Sequence, residues 1–266
     1  MSDSNSHKIA VVTGASSGIG SVYADRLAKR GYDLILVARR ADRLQALAEK
    51  ITDAHGRKVD VLAADLQKEE DLVRVEAVLS SNPHIRVLVN NAGMARLGSV
   101  ATAPVNDSLT QIALNITALT RLTHAVLPGL IARNQGVIVN IASALGIQSL
   151  PISSVYSGTK AYVLSFSRGL QAELAQTKVK VQIVLPAATA TEIWDSAGLP
   201  LSSLDVNKVM SAENLVDSAL AGYAKGEIIT WPSVGDEKLW EKFDAARAEL
   251  FDASQTGKPA ARYAVA

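Results

Sequence analysis

Short runs rich in Val, Ile and Leu alternate with longer stretches of helical periodicity along most of this chain, and this alternation limits the fold more than any other feature. Near-continuous apolar strands are typical of a parallel sheet that is covered by helices on both faces. The sequence therefore predicts an α/β fold, a doubly wound parallel sheet of about seven strands in a three-layer α/β/α sandwich. The predicted strands are residues 8–14, 33–39, 58–65, 85–93, 136–143, 179–186 and 227–232.

The length of 266 residues, of which 48% are hydrophobic, favours one domain over residues 1–266. Residues 187–211 follow a predicted strand and mix Gly, Pro and Ser with large apolar side chains, without a clean period. Their position favours a substrate lid over a plain surface loop. A last amphipathic helix is predicted at about 235–252, with core packing as its simplest use and a pocket edge or an interface as alternatives.

The composition argues against several classes of protein. A net charge of +1 with no long charge run does not suit a nucleic-acid-binding surface. The chain has no cysteine and its four histidines lack metal-ligand spacing, so no metal site is expected. No apolar stretch reaches the roughly 18 residues that span a bilayer. We expect a cytoplasmic protein whose partners include neither nucleic acid nor membrane.

A glycine-rich turn, TGASSGIG at residues 13–20, lies between the first predicted strand and a helical stretch. Glycines let a backbone approach a phosphate closely, and free amides at a helix N-terminus attract the negative charge. The spacing is G-x-x-x-G-x-G, and such a turn on its own can also be purely structural. Its position favours a dinucleotide site in a Rossmann-like fold, with these cofactor-binding residues: Gly14, Ser16, Ser17, Gly18, Ile19 and Gly20.

Two arginines, Arg39 and Arg40, end the second predicted strand. An NAD site usually carries an acidic residue there to hold the ribose 2′-hydroxyl. Guanidinium groups suit a 2′-phosphate in both charge and donor geometry, so the sequence predicts NADP(H) in preference to NAD(H). The alternative is a solvated helix start in which both arginines pair with Asp42.

Tyr156 and Lys160 are four residues apart in a helical stretch, which places both on one helix face. An ammonium group near the phenol, together with the positive charge of an oxidised nicotinamide, would lower the tyrosine pKa from its usual value near ~10. Tyr156 would then act as a general acid or base. Ser143, at the end of the fifth strand, could donate a hydrogen bond to a developing oxyanion.

The motifs together resemble the short-chain dehydrogenase/reductase family. They are TGASSGIG, NNAG at 90–93, Asn115, Ser143 and YSGTK at 156–160, in the order and at the intervals of that family. The resemblance extends from about residue 8 to 232. It implies a Tyr-x-x-x-Lys oxidoreductase with these catalytic residues: Asn115, Ser143, Tyr156 and Lys160.

The resemblance also implies roles for residues that the patterns alone do not assign. Asn115 would hold a water near the lysine, although a helix kink is its plain structural alternative, and Lys160 would also bind the nicotinamide ribose. Asp65 would contact adenine or, equally, cap a helix. Further cofactor contacts are implied at Asn91, Ala92, Gly93, Tyr156, Pro186, Thr189 and Thr191. The family usually has Gly where this chain has Ala187, so the backbone at the entry to the predicted lid must accept a Cβ.

Substrate contacts are expected at Ser143, Leu145, Tyr156 and Trp194, next to mostly apolar residues. The expected reaction moves a hydride between nicotinamide and the carbonyl or secondary alcohol carbon of a small, mainly apolar substrate. Arg96 is the main sign of a charged substrate, although it is more simply exposed. A 3-oxoacyl carrier-protein reductase is an alternative, as is an isomerase or dehydratase that uses the cofactor transiently. A non-catalytic NADP(H)-binding regulator is the alternative of another class.

Helical stretches at about 105–134 and 155–177 carry apolar residues on more than one face. Each would pack on the sheet and on something else. Together with the family resemblance, this predicts a homodimer or homotetramer built on these two stretches.

Overall fold

Each of the seven apolar runs of the sequence forms a strand of one parallel sheet. The computed structural model describes residues 7–263, and these residues form two compact units that divide after Pro232. In chain order, the strands are β1 (Ile9–Thr13), β2 (Asp33–Ala38), β3 (Val59–Ala63), β4 (Ile85–Asn90), β5 (Gly136–Ile141), β6 (Val179–Val184), β7 (Thr189–Ala190), β8 (Met210–Ser211) and β9 (Ile229–Thr230). The sheet order is β3-β2-β1-β4-β5-β6-β9, while β7 pairs with β8.

Helices connect the strands. They are α1 (Gly18–Lys29), α2 (Ala41–His55), α3 (Glu69–Ser81), α4 (Val105–Ile112), α5 (Leu119–Ala132), α6 (Ser154–Glu173), α7 (Ile193–Ala197), α8 (Ala212–Ala224) and, in the second unit, α9 (Lys238–Ser254). A π-helical turn, Ala113–Ala118, joins α4 to α5. Short 3₁₀ turns lie at Ala144–Gly146, Leu201–Ser203, Val206–Lys208 and Ala261–Tyr263.

The sheet of the first unit has an apolar core on each face, which confirms the predicted three-layer sandwich. Residues of α1, α2 and α8 pack on one face, and residues of α3, α5 and α6 pack on the other. Every residue of β1 and β2 is buried, as expected for strands that are covered on both sides. The strand order reverses between β1 and β4, and ligands of such sheets bind beyond the carboxyl ends of the strands at that point.

Some predicted boundaries differ from the structure. The last predicted strand, 227–232, contributes only Ile229 and Thr230 to the sheet. The predicted helix at 105–134 contains the π-helical turn, which apolar periodicity cannot reveal. The predicted lid, 187–211, is not an irregular loop, because it contains β7, α7, two 3₁₀ turns and β8.

The second unit, from residue 233, contains the predicted C-terminal helix, α9. None of its residues is buried, and Leu239 and Leu250 are 58% and 73% exposed, while its packing in the core stays a prediction. Nearly every apolar residue or pair along KLWEKFDAARAELFDAS is followed by a charged residue. Burial of the helix would remove those charges from water at a high energetic cost. The prediction of one domain over 1–266, which includes residues outside those described, stays a prediction.

Two features of the surface bear on partners. Helix α4 exposes Val105, Leu109 and Ile112, which are 69%, 55% and 40% accessible. Within residues 7–263, no helix combines the length and the apolar character that a bilayer crossing requires.

Candidate active site

A cleft of about 760 Å³ opens where the order of the sheet reverses. It brings together the predicted site residues except Gly20 and Asn115, which lie just behind its wall. The residues that line it are Gly14, Ser16, Ser17, Gly18, Ile19, Arg39, Arg40, Asp65, Asn91, Ala92, Gly93, Ser143, Leu145, Tyr156, Lys160, Pro186, Thr189, Thr191 and Trp194.

The glycine turn forms one end of the cleft. Gly14 and Gly18 have φ angles of +67° and +55°, in the left-handed region that favours glycine. A Cβ on Gly20 would lie 2.3 Å from the Gly14 carbonyl oxygen. Gly20 is therefore needed for the close packing of the turn and does not itself line the cleft. Ser17 precedes α1 without a side-chain capping bond, which leaves the first amides of the helix open to an anion. These amides fit the pyrophosphate of a dinucleotide.

Thr13 joins the glycine turn to the segment after β4. Its hydroxyl accepts hydrogen bonds from the Asn91 and Ala92 amides, each at 3.0 Å, and donates to the Val89 carbonyl at 3.1 Å. The Asn91 side chain donates to the Thr13 carbonyl oxygen at 2.9 Å. Thr13 is therefore a positioning residue that the sequence analysis missed, although it belongs to the motif TGASSGIG.

Arg40 is a positively charged residue that lines the cleft next to the glycine-rich turn. Its guanidinium donates to the Ser16 hydroxyl at 3.0 and 3.2 Å and to the Ser17 hydroxyl at 2.8 Å. It pairs with Glu192 at 2.7 Å and not with Asp42, which forms no ion pair in the described part of the chain. The predicted pairing with Asp42 is therefore wrong, because the Arg40 side chain points toward the glycine-rich turn and toward Glu192 of the predicted lid. Arg39 is exposed beside it.

Asp65 lies in the cleft wall and not at a helix cap. Its carboxylate accepts from the Gln67 amide at 3.2 Å, and its own amide donates to Asp71 at 2.7 Å. The following helix, α3, begins after Lys68 without a side-chain cap. The N-cap alternative for Asp65 is therefore wrong, and its carboxylate stays beside the cleft.

Tyr156 and Ser143 meet in the middle of the cleft. Ser143 accepts from the Leu145 amide at 3.1 Å, and its hydroxyl lies 3.4 Å from the Pro186 carbonyl oxygen. Burial raises the pKa of Tyr156 to about 12, and a hydrogen bond with Ser143 acts in the opposite direction. The expected lowering of this pKa is therefore not found in the protein alone. The phenol is neutral at physiological pH and can donate a proton.

Lys160 lies behind Tyr156, one turn along α6. It is buried, its ammonium donates to the Ile141 carbonyl at 2.8 Å, and Nζ is 5.7 Å from the centre of the Tyr156 ring. Burial lowers the pKa of Lys160 to about 8. The lysine is thus charged at neutral pH but close to losing its proton.

Asn115 lies in the π-helical turn, and its amide connects two walls of the site. It accepts from the Met94 amide at 2.9 Å, and it donates to the Met94 carbonyl at 2.9 Å and to Thr159 at 3.0 Å. Thr159 in turn donates to the Tyr156 carbonyl at 2.7 Å. π-Helical turns are rare and often occur at functional sites. The kink alternative is therefore present as a distorted turn that directs the Asn115 side chain toward Met94 and Thr159, and its catalytic role stays a prediction.

Gln111, which the sequence analysis missed, repeats this pairing one turn earlier. It accepts from the Arg96 amide at 3.0 Å and donates to the Arg96 carbonyl at 3.3 Å, while only 2% exposed. The loop that Gln111 holds also contacts the predicted lid through two hydrogen bonds. The Leu97 amide donates to the Ala197 carbonyl at 2.8 Å, and the Arg96 guanidinium donates to the Ser196 carbonyl. Gln111 therefore positions the loop against which the lid rests.

Replacement of Gln111 by leucine is expected to destabilise the protein and to weaken substrate binding. The change leaves the part-buried Arg96 amide and carbonyl without their Gln111 partner, which costs about 1–3 kcal/mol. We expect the Tm to fall by roughly 2–10 °C and the KM to rise several-fold with a smaller change in kcat. Thermal unfolding and steady-state kinetics measure both, with the exposed Gln45→Leu on α2 as the control. Unchanged Tm and KM would contradict this role.

The walls beside Tyr156 are apolar and include Leu145 and Trp194, whose contact with a substrate stays a prediction. The Trp194 indole donates to the Thr189 carbonyl at 2.7 Å, which fixes it to the base of the lid. The other apolar residues of this wall are Ala95, Leu97, Leu114, Ala144, Leu150, Ile152, Ile193, Ala197, Leu199 and Leu204. Arg96 does not line the cleft.

Ala187 fits the entry to the lid without strain. Among residues 7–263, Asn134 is the one non-glycine residue in the left-handed region, so Ala187 has backbone angles that a Cβ tolerates. Its carbonyl accepts from the Thr189 hydroxyl at 3.1 Å. The usual glycine of the resembling family is thus not needed here. The described residues also contain no cluster of His, Asp and Glu side chains that could hold a metal ion.

Comparison with known proteins places this geometry in a family. Residues 8–200 match the short chain dehydrogenase family. The chain is 40% identical over 189 residues to a very-long-chain 3-oxoacyl-CoA reductase of Anas platyrhynchos and 35% identical over 184 residues to the human 17-beta-hydroxysteroid dehydrogenase type 3. These matches cover 69% and 68% of the chain but 60% and 59% of the relatives. The chain thus spans about three fifths of these curated relatives.

Solved structures match over nearly the whole chain. A short-chain dehydrogenase from Sphingobium yanoikuyae in complex with NADPH is 43% identical, with a TM-score of 0.92, over 96% of this chain and 100% of that one. A bulky-bulky ketone specific alcohol dehydrogenase from Comamonas testosteroni is 37% identical, with a TM-score of 0.88, over 98% of this chain and 100% of that one. The protein therefore belongs to the short-chain dehydrogenase/reductase family.

Proposed function

We propose that this protein is an NADP(H)-dependent carbonyl reductase for bulky, mainly apolar ketones, and that it oxidises the corresponding secondary alcohols in reverse. The observation that carries the proposal is the wide apolar wall on the substrate side of Tyr156, in which no arginine or lysine other than Lys160 takes part among the described residues. A substrate recognised by a carboxylate or phosphate would need a cation there.

The residues of the chain fit NADP(H). The open amides of α1 suit the pyrophosphate, and Arg40, with the Ser16 and Ser17 hydroxyls and the nearby Arg39, suits a 2′-phosphate. Asp65 lines the cleft, which supports the contact with adenine that the family resemblance implies, and Pro186, Thr189 and Thr191 line the cleft as well. The structural relative from Sphingobium yanoikuyae, which is in complex with NADPH, supports this choice of cofactor.

In the proposed reaction, a bound NADPH would supply the hydride for the carbonyl carbon. The Ser143 hydroxyl donates a hydrogen bond to the carbonyl oxygen and positions it. Tyr156, neutral because of its burial, donates the proton to the oxygen as negative charge develops. The Lys160 ammonium lies behind the phenol and favours the phenolate that remains. Asn115 holds the loop at Met94 and the helix at Thr159 in place.

Relatives support large ketone substrates. The name of the Comamonas testosteroni relative describes a dehydrogenase that is specific for bulky-bulky ketones, and other relatives are named for steroids or very-long-chain 3-oxoacyl-CoA. All of these substrates carry large apolar groups. A 3-oxoacyl thioester is thus the second candidate, favoured by the 40% identity to a 3-oxoacyl-CoA reductase. The carrier-protein form of that reaction has less support, because Arg96 donates to the lid and does not line the cleft.

The test is the oxidation of NADPH and of NADH with a panel of ketones of graded size. The panel contains small ketones, aryl alkyl ketones, ketones that are bulky on both sides, steroid ketones and 3-oxoacyl-CoA esters. We expect kcat/KM to rise with the apolar size of the substrate and NADPH to be the better cofactor. Faster turnover of a small charged ketone would contradict the proposal, and a preference for the thioesters would favour the second candidate.

Replacement of Arg40 by alanine is expected to weaken NADPH binding about 10- to 100-fold, because charge-assisted hydrogen bonds contribute about 1.5–3 kcal/mol. NADH binding should change little, because NADH lacks the 2′-phosphate. Cofactor fluorescence titration measures both dissociation constants, with Arg30→Ala, at the exposed residue that directly follows α1, as the control. Equal weakening for both cofactors would show that Arg40 acts on the fold of the turn and not on the phosphate.

We also propose a homodimer or homotetramer through the helices at about 105–134 and 155–177. The exposed Val105, Leu109 and Ile112 on α4 support this arrangement, because exposed apolar clusters mark protein contacts. Light scattering of wild type and of Leu109→Glu tests it, and a monomer in both cases would contradict it. A cytoplasmic location stays a prediction, which cell fractionation can test.

A further inference from the structure

The guanidinium of Arg40, which the proposed function assigns to the 2′-phosphate, is already paired in the protein alone. One nitrogen donates to the Glu192 carboxylate at 2.7 Å, and another donates to both Ser16 and Ser17. The other oxygen of the same carboxylate accepts from Arg43 at 2.6 Å. The Glu192 carboxylate thus accepts a hydrogen bond from the Arg40 guanidinium, whose donors a 2′-phosphate would also need.

Glu192 belongs to the lid and not to the nucleotide-binding turn. It directly precedes α7, the helix that carries Trp194 over the substrate side. Its neighbour Thr191 lies against the glycine turn, because a Cβ on Gly18 would be 2.9 Å from the Thr191 methyl group. The base of the lid therefore crosses the cleft at its phosphate end, and the Glu192 pairs fasten it there.

These pairs can exchange. The side chains of Arg40, Arg43 and Glu192 are 40–45% exposed, and ion pairs of that exposure are weak and open readily. Hydrogen bonds from Arg40 and Arg43 lower the pKa of Glu192, so the carboxylate is charged at neutral pH. A phosphomonoester carries about 1.5–2 negative charges, so it attracts Arg40 more strongly and repels the carboxylate.

We infer that Glu192 is a specificity-determining residue that competes with the 2′-phosphate of NADP(H) for Arg40 and couples cofactor choice to the lid. Entry of NADP(H) displaces the carboxylate from Arg40 and frees the base of the lid. Entry of NAD(H), which has no 2′-phosphate, leaves the pair intact. The inference rests on the proposed use of NADP(H), and it means that this chain binds NADP(H) less tightly than its two arginines alone would allow.

The test measures the dissociation constants of NADP⁺ and NAD⁺ by calorimetry for wild type and for Glu192→Gln. Glutamine keeps the size of the side chain but removes the competing charge. We expect the NADP⁺ dissociation constant to fall about three- to tenfold and the NAD⁺ constant to change by less than about twofold. The control is Asp42→Asn, which removes one negative charge next to the arginines without breaking an ion pair. It should change the NADP⁺ constant by less than about twofold.

Hydrogen exchange of the amides at 191–197 provides a second readout that does not depend on a variant. In wild type, we expect faster exchange with saturating NADP⁺ than with saturating NAD⁺, because only the former releases the Glu192 pair. Equal exchange, or slower exchange with NADP⁺, would overturn the coupling to the lid.

Other outcomes separate this inference from the proposed function. If wild type prefers NADP⁺ and Glu192→Gln leaves that preference unchanged, Glu192 does not compete and the inference fails, while the choice of cofactor stands. If Glu192→Gln weakens both cofactors equally, Glu192 is a clamp over the cleft and the inference also fails. If wild type binds NAD⁺ as tightly as NADP⁺, the proposed cofactor preference fails together with the inference.

Discussion

Replacement of Tyr156 by phenylalanine is expected to lower kcat for ketone reduction by about 10²–10⁴-fold, the usual contribution of a positioned general acid. Burial raises the pKa of this phenol to about 12, so it carries its proton at every physiological pH. A neutral phenol suits reduction, in which the substrate oxygen needs a proton. Phenylalanine fills the same space but has no proton to give. Single-turnover measurement of NADPH oxidation with a bulky ketone detects the loss.

The matched control is Tyr162→Phe on the same helix. The Tyr162 hydroxyl lies 2.8 Å from the Thr120 hydroxyl, away from the cleft, so its removal should leave kcat within about twofold. Both variants should bind NADPH as wild type does and keep its Tm within a few degrees. If Tyr156→Phe retained a tenth or more of the wild-type rate, another group would supply the proton. If wild type bound NADPH without consuming it, the regulator alternative would replace the enzyme.

The fold could be predicted from the sequence because its determinants are local. Seven apolar runs of strand length that alternate with helical stretches favour a parallel sheet covered on both faces. The sequence could not show where a strand stops pairing. Ile229 and Thr230 pair with β6 while the next residue, the apolar Trp231, does not, because pairing depends on where β6 ends and not on the apolar run itself.

The candidate site was only partly predictable. Its motif residues converge because each follows a strand end, and strand ends of a parallel sheet meet at one edge. Gln111 and Glu192 were missed, because each acts through a partner distant in sequence and neither belongs to a recognisable pattern. Gln111 pairs with Arg96, 15 residues away, and Glu192 pairs with Arg40, 152 residues away. Contacts of this kind form only when the loops have packed, so the sequence alone does not reveal them.

The charge state of the site was the least predictable property. The sequence places an ammonium four residues from a phenol and so predicts a lowered tyrosine pKa. Burial outweighs that attraction in the folded protein, since it raises the pKa of Tyr156 to about 12 and lowers that of Lys160 to about 8. The neutral forms of Tyr156 and Lys160 are both favoured, because their buried surroundings solvate charge poorly. The positive charge of a bound oxidised nicotinamide is then required before the phenolate becomes accessible in the oxidative direction.

Replacement of Lys160 by methionine is expected to stabilise the protein at neutral pH while abolishing most of its activity. The buried ammonium has a folded pKa of about 8, against 10.5 for an ordinary lysine. Below pH 8 the Lys160 ammonium is charged in both the folded and the unfolded protein. Burial of this charge then lowers the free energy of unfolding by up to about 3 kcal/mol. Methionine removes this penalty but loses the hydrogen bond to Ile141, which contributes about 1 kcal/mol. A net gain of about 1–2 kcal/mol in the free energy of unfolding remains.

The dependence of that gain on pH identifies its cause. As pH rises from 8 to 10.5, the unfolded state binds more protons than the folded state, so wild type becomes relatively more stable. The advantage of Lys160→Met should therefore shrink by about 2 kcal/mol between pH 6.5 and 9.5. Urea unfolding at the two pH values measures it, with the exposed Lys180→Met of β6 as the control.

The same titration should limit activity in wild type. Loss of the Lys160 proton removes the charge behind Tyr156, so kcat/KM for reduction is expected to fall as pH rises through about 8, well below the pKa of the phenol. Lys160→Met should lower kcat/KM by about 10²-fold or more at pH 7 and show no such fall. An advantage in stability that did not vary with pH, or a wild-type profile that stayed flat to pH 10, would mean that Lys160 keeps an ordinary pKa.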